Sequence, residues 1–215
     1  MLGEYDKALI SYECAKNEVD NLLKMGINHS VLNDLTDQES LAHTNIADIC
    51  RLNGDIRNAE TYLIKAMKIA RPDSFPEAKA LNQRGLMFMQ TGPFYKAMAH
   101  HKKAVEILRK VDIEDKKPLY LALGNLAEAQ RRTQYKGHIG DAEHNFRGAM
   151  GRADHDNDLH WVSNSLYGLG KCMMSRRKYE EAISYFNQAL HIDNKIDNLR
   201  NQVSRKIHLA YCNAK

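Results

Sequence analysis

Arg177-Lys178-Tyr179-Glu180-Glu181-Ala182-Ile183-Ser184-Tyr185-Phe186-Asn187-Gln188-Ala189 is the stretch that decides the fold. Tyr179, Ala182, Phe186 and Ala189 stand three, four and three residues apart, which lines them along one face of an α-helix. The alanines admit a neighbouring helix closely, and the ring between them fills the groove where two helices meet. The spacing returns at Gly137, Ile139, Ala142, Phe146, Ala149, and again at Gly92, Phe94, Ala97, His101, Ala104. It also occurs at Gly54, Ile56, Ala59, Leu63, Ala66, and at Gly3, Tyr5, Ala8, Tyr12, Ala15. In these four copies glycine stands where Arg177 stands, which suits a tight turn closed by a left-handed residue.

A second helical segment precedes four of the five signatures. Leu41, Ala42, Asn45, Ile46, Ala47 and Asp48 align with Leu121, Ala122, Asn125, Leu126, Ala127 and Glu128. Ala80 to Gly85 and Ser165 to Gly170 occupy the same place, with glycine where the other two carry alanine. A recurring helix-turn-helix unit buries its apolar face only against its neighbours, so the expected architecture is an all-α stack whose usual work is holding other proteins.

On these residues the chain resembles the tetratricopeptide repeat family. Leu169-Gly170, Ala182 and Phe186 fit the family pattern, as do Gly85 with Ala97, and Pro72 approximates its closing proline. The resemblance implies a right-handed α-solenoid of antiparallel helix pairs. The signature alanines 8, 59, 97, 142 and 182 lie 51, 38, 45 and 40 residues apart, against about 34 in the usual repeat. The excess implies longer helices or loops, in the style of the long repeats of kinesin light chain and some cell-polarity scaffolds.

The expected divisions are 1–24 as the second helix of a truncated first repeat, then repeats at 39–71, 76–112, 119–154 and 160–196. Residues 198–214 form a capping helix or open a further repeat, with Val203, Ile207, Ala210 and Tyr211 on one face. The missing first helix is expected to leave Leu2, Tyr5, Leu9 and Tyr12 partly uncovered, which raises self-association through the ends as an alternative role.

The chain is 27% charged and 43% hydrophobic with a net charge of +4, an ordinary globular balance. It has neither an apolar run of the roughly 18 residues needed to cross a bilayer nor a signal peptide at Met1 to Lys7, so a cytoplasmic or other intracellular location without membrane attachment is expected. Cys14, Cys50, Cys172 and Cys212 form no CxxC pair and read as buried free thiols. Lysines and arginines are interspersed with acids, which argues against a nucleic-acid partner. The basic groups at Lys116-Lys117, Arg131-Arg132 and Arg176-Arg177-Lys178 keep it as an alternative.

In the family the first helices line the concave surface where ligands lie. Carried over, this gives an inner row of Asn45, Asp48 and Arg51, then Asn82, Leu86 and Met89, then Asn125, Glu128 and Arg131, then Tyr167, Lys171 and Met174. An asparagine amide both donates and accepts, so it can hold the backbone of a partner's peptide or helix. Methionine suits adaptable apolar surfaces. The competing reading is that Asp48 with Arg51, and Glu128 with Arg131, only pair locally at i,i+3. The family's clamp for a terminal carboxylate needs Lys, Asn and Arg on successive first helices, and Asp48 at a corresponding place breaks that set.

Signals for chemistry are weak. Read as a calcium loop, Asp154 to Asp158 puts Leu159 where glycine is needed and Ser165 where a bidentate glutamate belongs. His101 takes the groove-filling position and reads as packing, and adjacent His100 points elsewhere on the helix. Phosphate loops, nucleophile elbows and paired carboxylates are missing from the sequence, so the expectation is a non-catalytic scaffold with no cofactor and no metal.

Overall fold

A computed structural model of the chain describes Ile10, Cys14, Asn17, Asn21 and residues 29–215. The signature at Gly3 to Ala15, the face of Leu2, Tyr5, Leu9 and Tyr12, and nearly all of segment 1–24 lie outside the described residues. Among the described residues nine helices follow one another without a strand. They are α1 (His29–Leu52), α2 (Ile56–Ile69), α3 (Phe75–Thr91), α4 (Phe94–Leu108), α5 (Lys117–Arg132), α6 (Lys136–His155), α7 (Leu159–Ser175), α8 (Tyr179–Lys195) and α9 (Leu199–Asn213).

Four turns share one device. Gly54, Asn157, Arg177 and Asp197 take the left-handed conformation (φ 82°, 55°, 60° and 51°). The next amide then reaches back to the last turn of the finished helix: Asp55 to Cys50, Asp158 to Ala153, Lys178 to Met173 and Asn198 to Asp193, at 2.8–3.0 Å. In three of these turns that same residue starts the following helix, Asp55, Asp158 and Asn198 accepting from the amides of Asn58, Trp161 and Asn201. One residue thus closes a helix and caps the next. Gly137 departs from the expectation set by its signature. It lies inside the first turn of α6, and Gln134 (φ 57°) takes the left-handed position three residues earlier.

The signature alanines Ala59, Ala66, Ala97, Ala104, Ala142, Ala149, Ala182 and Ala189 are fully buried, with Leu63, His101, Phe146 and Phe186 between them. The three ring residues meet glycines. A Cβ built at Gly85 would stand 2.4 Å from the His101 ring, at Gly168 2.4 Å from Phe146, and at Gly170 2.4 Å from Phe186. Helices cross here at a separation only glycine permits. The pairs α1–α2, α3–α4, α5–α6 and α7–α8 pack antiparallel, and each second helix also packs on the next first helix. The result is an all-α solenoid with a continuous core from Ala78 on α3 to Ala189 on α8.

α9 is docked by polar chemistry. Arg205, only 2% exposed, places its guanidinium 3.0 Å from Asp193 and donates at 2.9 Å to Asn164, while Ser163 donates to Asp193 at 2.7 Å. The apolar face expected on this helix is turned outward: Val203, Ile207 and Tyr211 are 58%, 62% and 48% exposed, Ala210 is exposed with them, and Leu199 at the helix start is 71% exposed. Cys50, Cys172 and Cys212 are buried and in no disulfide among the described residues, whereas Cys14 is exposed. Burial pushes the Cys172 thiol up to about 12, which keeps it protonated and unreactive.

Candidate partner-binding face

The first helices of successive pairs also pack on one another, α1 on α3, α3 on α5 and α5 on α7, with no comparable packing between successive second helices among the described residues. A stack drawn together along one edge curves toward that edge, so α1, α3, α5 and α7 form its inner side. All the residues expected in the inner row lie on these four helices. Asn45 is exposed, and the others are half-buried.

A polar rung joins each first helix to the next. Lys79 donates to Asn45 Oδ1 at 3.0 Å, and Asn125 Nδ2 donates to Asn82 Oδ1 at 3.2 Å. Lys171 Nζ donates to Glu128 Oε2 at 2.9 Å, and Asn201 and Arg205 both donate to Asn164 Oδ1. His101 Nδ1 lies 2.8 Å from Asn82 Oδ1, so the buried imidazole reaches the inner face, with its Nδ1–H donating to the amide oxygen. Asn82 therefore uses its oxygen twice. Its NH2 group and the Oδ1 of Asn125 have no partner among the described residues, leaving donors and an acceptor side by side.

The local pairs are also present. Arg51 donates to Asp48 at 2.7 Å and 3.2 Å, and Arg131 to Glu128 at 2.8 Å and 3.0 Å. The two differ in company, because Glu128 additionally receives Arg132 at 2.9 Å and Lys171 from the next repeat. Burial works to raise the Glu128 pKa, but the hydrogen bonds and charges of Arg131 and Lys171 overcome it and hold the carboxyl well below its ordinary range. Burial also lowers Lys171, against the pull of Glu128.

Between α5 and α7 lies an open hollow of about 220 Å3, lined by Gly124, Asn125, Glu128, Trp161, Asn164, Tyr167 and Lys171 among others. Tyr167 is fixed there, with Arg205 over its ring at 4.0 Å, Lys171 at 4.8 Å, and its hydroxyl 3.1 Å from His208 Nδ1. Leu86, Met89 and Met174 add half-buried apolar surface farther along the face. Lys79, Asn164 and Trp161 were not in the expected row. Each continues an i,i+3 step one turn toward its helix start, from Asn82 back to Lys79 and from Tyr167 back to Asn164 and Trp161, so extending the stripe would have found them.

The segment Asp154 to Asp158 acts as a helix junction. Asp154, His155 and Asp156 are exposed, and Asp158 caps α7 while binding the Tyr120 hydroxyl at 2.8 Å and Lys117 at 3.0 Å. No cluster of three or more His, Cys, Asp or Glu side chains suited to a metal occurs among the described residues.

The tetratricopeptide repeat family model matches residues 41–73, which span α1 and α2, and residues 163–196, which span α7 and α8. These two segments of the chain are tetratricopeptide repeats. No curated protein sequence matches it closely enough to be counted a relative. Its fold is similar to that of a signal-transduction ATPase with a tetratricopeptide repeat sensor from Pyrococcus horikoshii (TM-score 0.70, 18% identity), over 82% of this chain and 27% of that one. This chain therefore spans about a quarter of that protein. It is also similar to BtubC from P. vanneervenii (TM-score 0.69, 16% identity, 97% of this chain and 82% of that one). A third similar structure is a putative kinesin light chain with nearly identical tetratricopeptide-like repeats from Podospora anserina (TM-score 0.63, 15% identity, 82% and 86%). Tetratricopeptide repeats of this kind serve as protein-interaction scaffolds. Among the described residues no helix is long and apolar enough to cross a membrane.

Proposed function

We propose that the chain is a non-catalytic scaffold that holds a peptide or helix of another protein along the inner side of α1, α3, α5 and α7. The observation that carries this reading is the pair of unused groups at the centre of the face, the Asn82 NH2 and the Asn125 Oδ1. Together they complement the C=O and N–H of a peptide backbone without reading its side chains. The rungs on either side hold these amides in place, so little side-chain entropy is lost when a partner docks. Leu86, Met89, Tyr167 and Met174 supply apolar contact around that polar centre.

The test is site-specific photo-crosslinking in native lysate. A benzophenone side chain at Met89 or Tyr167 should yield a discrete adduct with another protein. The same group at Ile64, on the exposed side of the second helix α2, should yield none. Adducts from Ile64 but not from the inner positions would overturn the assignment of the face.

A further inference from the structure

A second feature lies off the inner face, at the edge where first helices turn into second helices. The α5–α6 and α7–α8 turns enclose a cleft of about 820 Å3 lined by Arg131, Gln134, Lys136, Ile139, Ser175, Arg176 and Arg177. Four of these seven are cationic and none is acidic. The carboxylates behind them are over-subscribed: Glu128 is shared among Arg131, Arg132 and Lys171, and Glu143 between Arg147 and Arg176. Lys136 and Arg177 are exposed and have no carboxylate partner among the described residues. The first turn of α6 forms part of the same wall. Its N-cap, Tyr135, offers no side-chain acceptor, so the opening amides add donors to the cations.

We propose that this cleft binds a phosphorylated side chain of a partner protein. A phosphate monoester carries nearly two charges and three acceptor oxygens on one group, which matches two unpaired cations flanked by two half-satisfied guanidiniums. A single carboxylate would answer only one of the unpaired charges. A nucleic-acid backbone presents phosphates in a row and needs a track of cations, and here the track stops on both sides. Arg132 turns back to Glu128 and lies over the Phe94 ring, and Lys178 is held by Glu181 at 2.7 Å beside exposed Glu180. Charge is concentrated at one spot.

The probe is a set of fluorescein-labelled degenerate peptide pools with a fixed central phosphoserine, serine or glutamate, titrated at low salt with anisotropy as the readout, together with labelled oligothymidine. The phosphoserine pool should bind at least about tenfold more tightly than the serine and glutamate pools. Lys136→Ala combined with Arg177→Gly should bring it down to the serine level. Glycine is the residue the corresponding turns carry at Gly54 and Gly92, it takes the left-handed conformation of Arg177 without strain, and both replaced side chains are exposed, so the thermal melt should be no lower than the parent's. Equal binding of the phosphoserine and serine pools, or no effect of the double variant, would overturn the proposal. So would glutamate matching phosphoserine, which marks a general acidic-peptide surface, or oligothymidine binding more tightly than phosphoserine, which marks a nucleic-acid surface. None of these substitutions touches Asn82 or Asn125, so this result and the crosslinking result stand or fall separately.

Discussion

The α3–α4 and α7–α8 pairs solve the same crossing with different rings. In one, His101 lies against Gly85; in the other, Phe186 lies against Gly170; each ring sits 2.4 Å from where a glycine Cβ would be. Shape alone is needed to close the crossing, since an imidazole and a phenyl ring both do it. Chemistry decides what else the crossing does. Phe186 joins an apolar cluster with Tyr167 and His208 rings alongside, whereas His101 passes a hydrogen bond through the core to Asn82 on the inner face. The histidine also has a cost, because its Nε2 is buried without a partner.

The largest expected effect tests what the two pairs share. Ala97 and Ala182 are equivalent and fully buried at the crossings. Ala97→Asp and Ala182→Asp should each destabilise by about 4 kcal/mol or more, since a carboxylate would be buried with no room and no partner. Urea denaturation reads this directly. A loss in one pair and none in the other would mean that the two crossings are not the same structure.

Gly85→Ala and Gly170→Ala probe the contact itself. Alanine favours a helix over glycine by about 1 kcal/mol, but the new methyl group drives the facing ring out of place, for a net loss of about 2 kcal/mol. The imidazole is smaller than phenyl and has a polar edge to reposition, so Gly85→Ala should be the milder of the two. Equal or reversed losses in matched melts would remove ring size as the explanation.

The pairs should part company with pH. Burial, helped by the neighbouring His100, lowers the His101 pKa from 6.5 to about 3. Above pH 6.5 the ring is neutral in both the folded and unfolded states. Below it, the unfolded chain takes a proton that the folded one refuses, so stability falls with pH until about pH 3. By pH 5 the loss from this group is about 2 kcal/mol. His101→Phe, which copies the other pair, should remove that contribution. The drop in unfolding free energy between pH 7 and pH 5 should therefore be smaller in the variant than in the parent. Parallel curves would show that the histidine is not the titrating group.

Much of this was legible in the residues. The alternation of alanine with a large residue sets which helix faces meet, and that pattern survives because a buried crossing tolerates few volumes. The turns were harder to read. Gly54 marked its turn, but Asn157, Arg177 and Asp197 take the same left-handed conformation with side chains, because the closing hydrogen bond, joined after Asn157 and Asp197 by the cap of the next helix, outweighs a backbone cost of about 1–2 kcal/mol. Gly137 was misleading for the converse reason, since a glycine can sit in a first helical turn without closing one. At the face, periodicity placed each residue on its stripe but could not show which residues join across repeats. Glu128–Lys171 and Asn82–Asn125 are 43 residues apart, a distance set by the length of the intervening helices and turns rather than by any local motif.

The smallest expected effect on stability carries the most weight for function. Asn125→Ala breaks one half-exposed hydrogen bond of 3.2 Å, and Asn82 keeps its bond to His101, so the loss should be about 0.5–1 kcal/mol. A group that adds so little to the fold is free to serve a ligand. The same variant should therefore weaken capture at the Met89 crosslinking position by much more than its effect on the melt would predict. It should leave the Ala182 and Gly170 effects unchanged, because α7 and α8 share no hydrogen bond with Asn125. If capture and stability instead fall together, Asn125 is a strut of the α3–α5 junction, and the polar centre of the face belongs to the fold rather than to a partner.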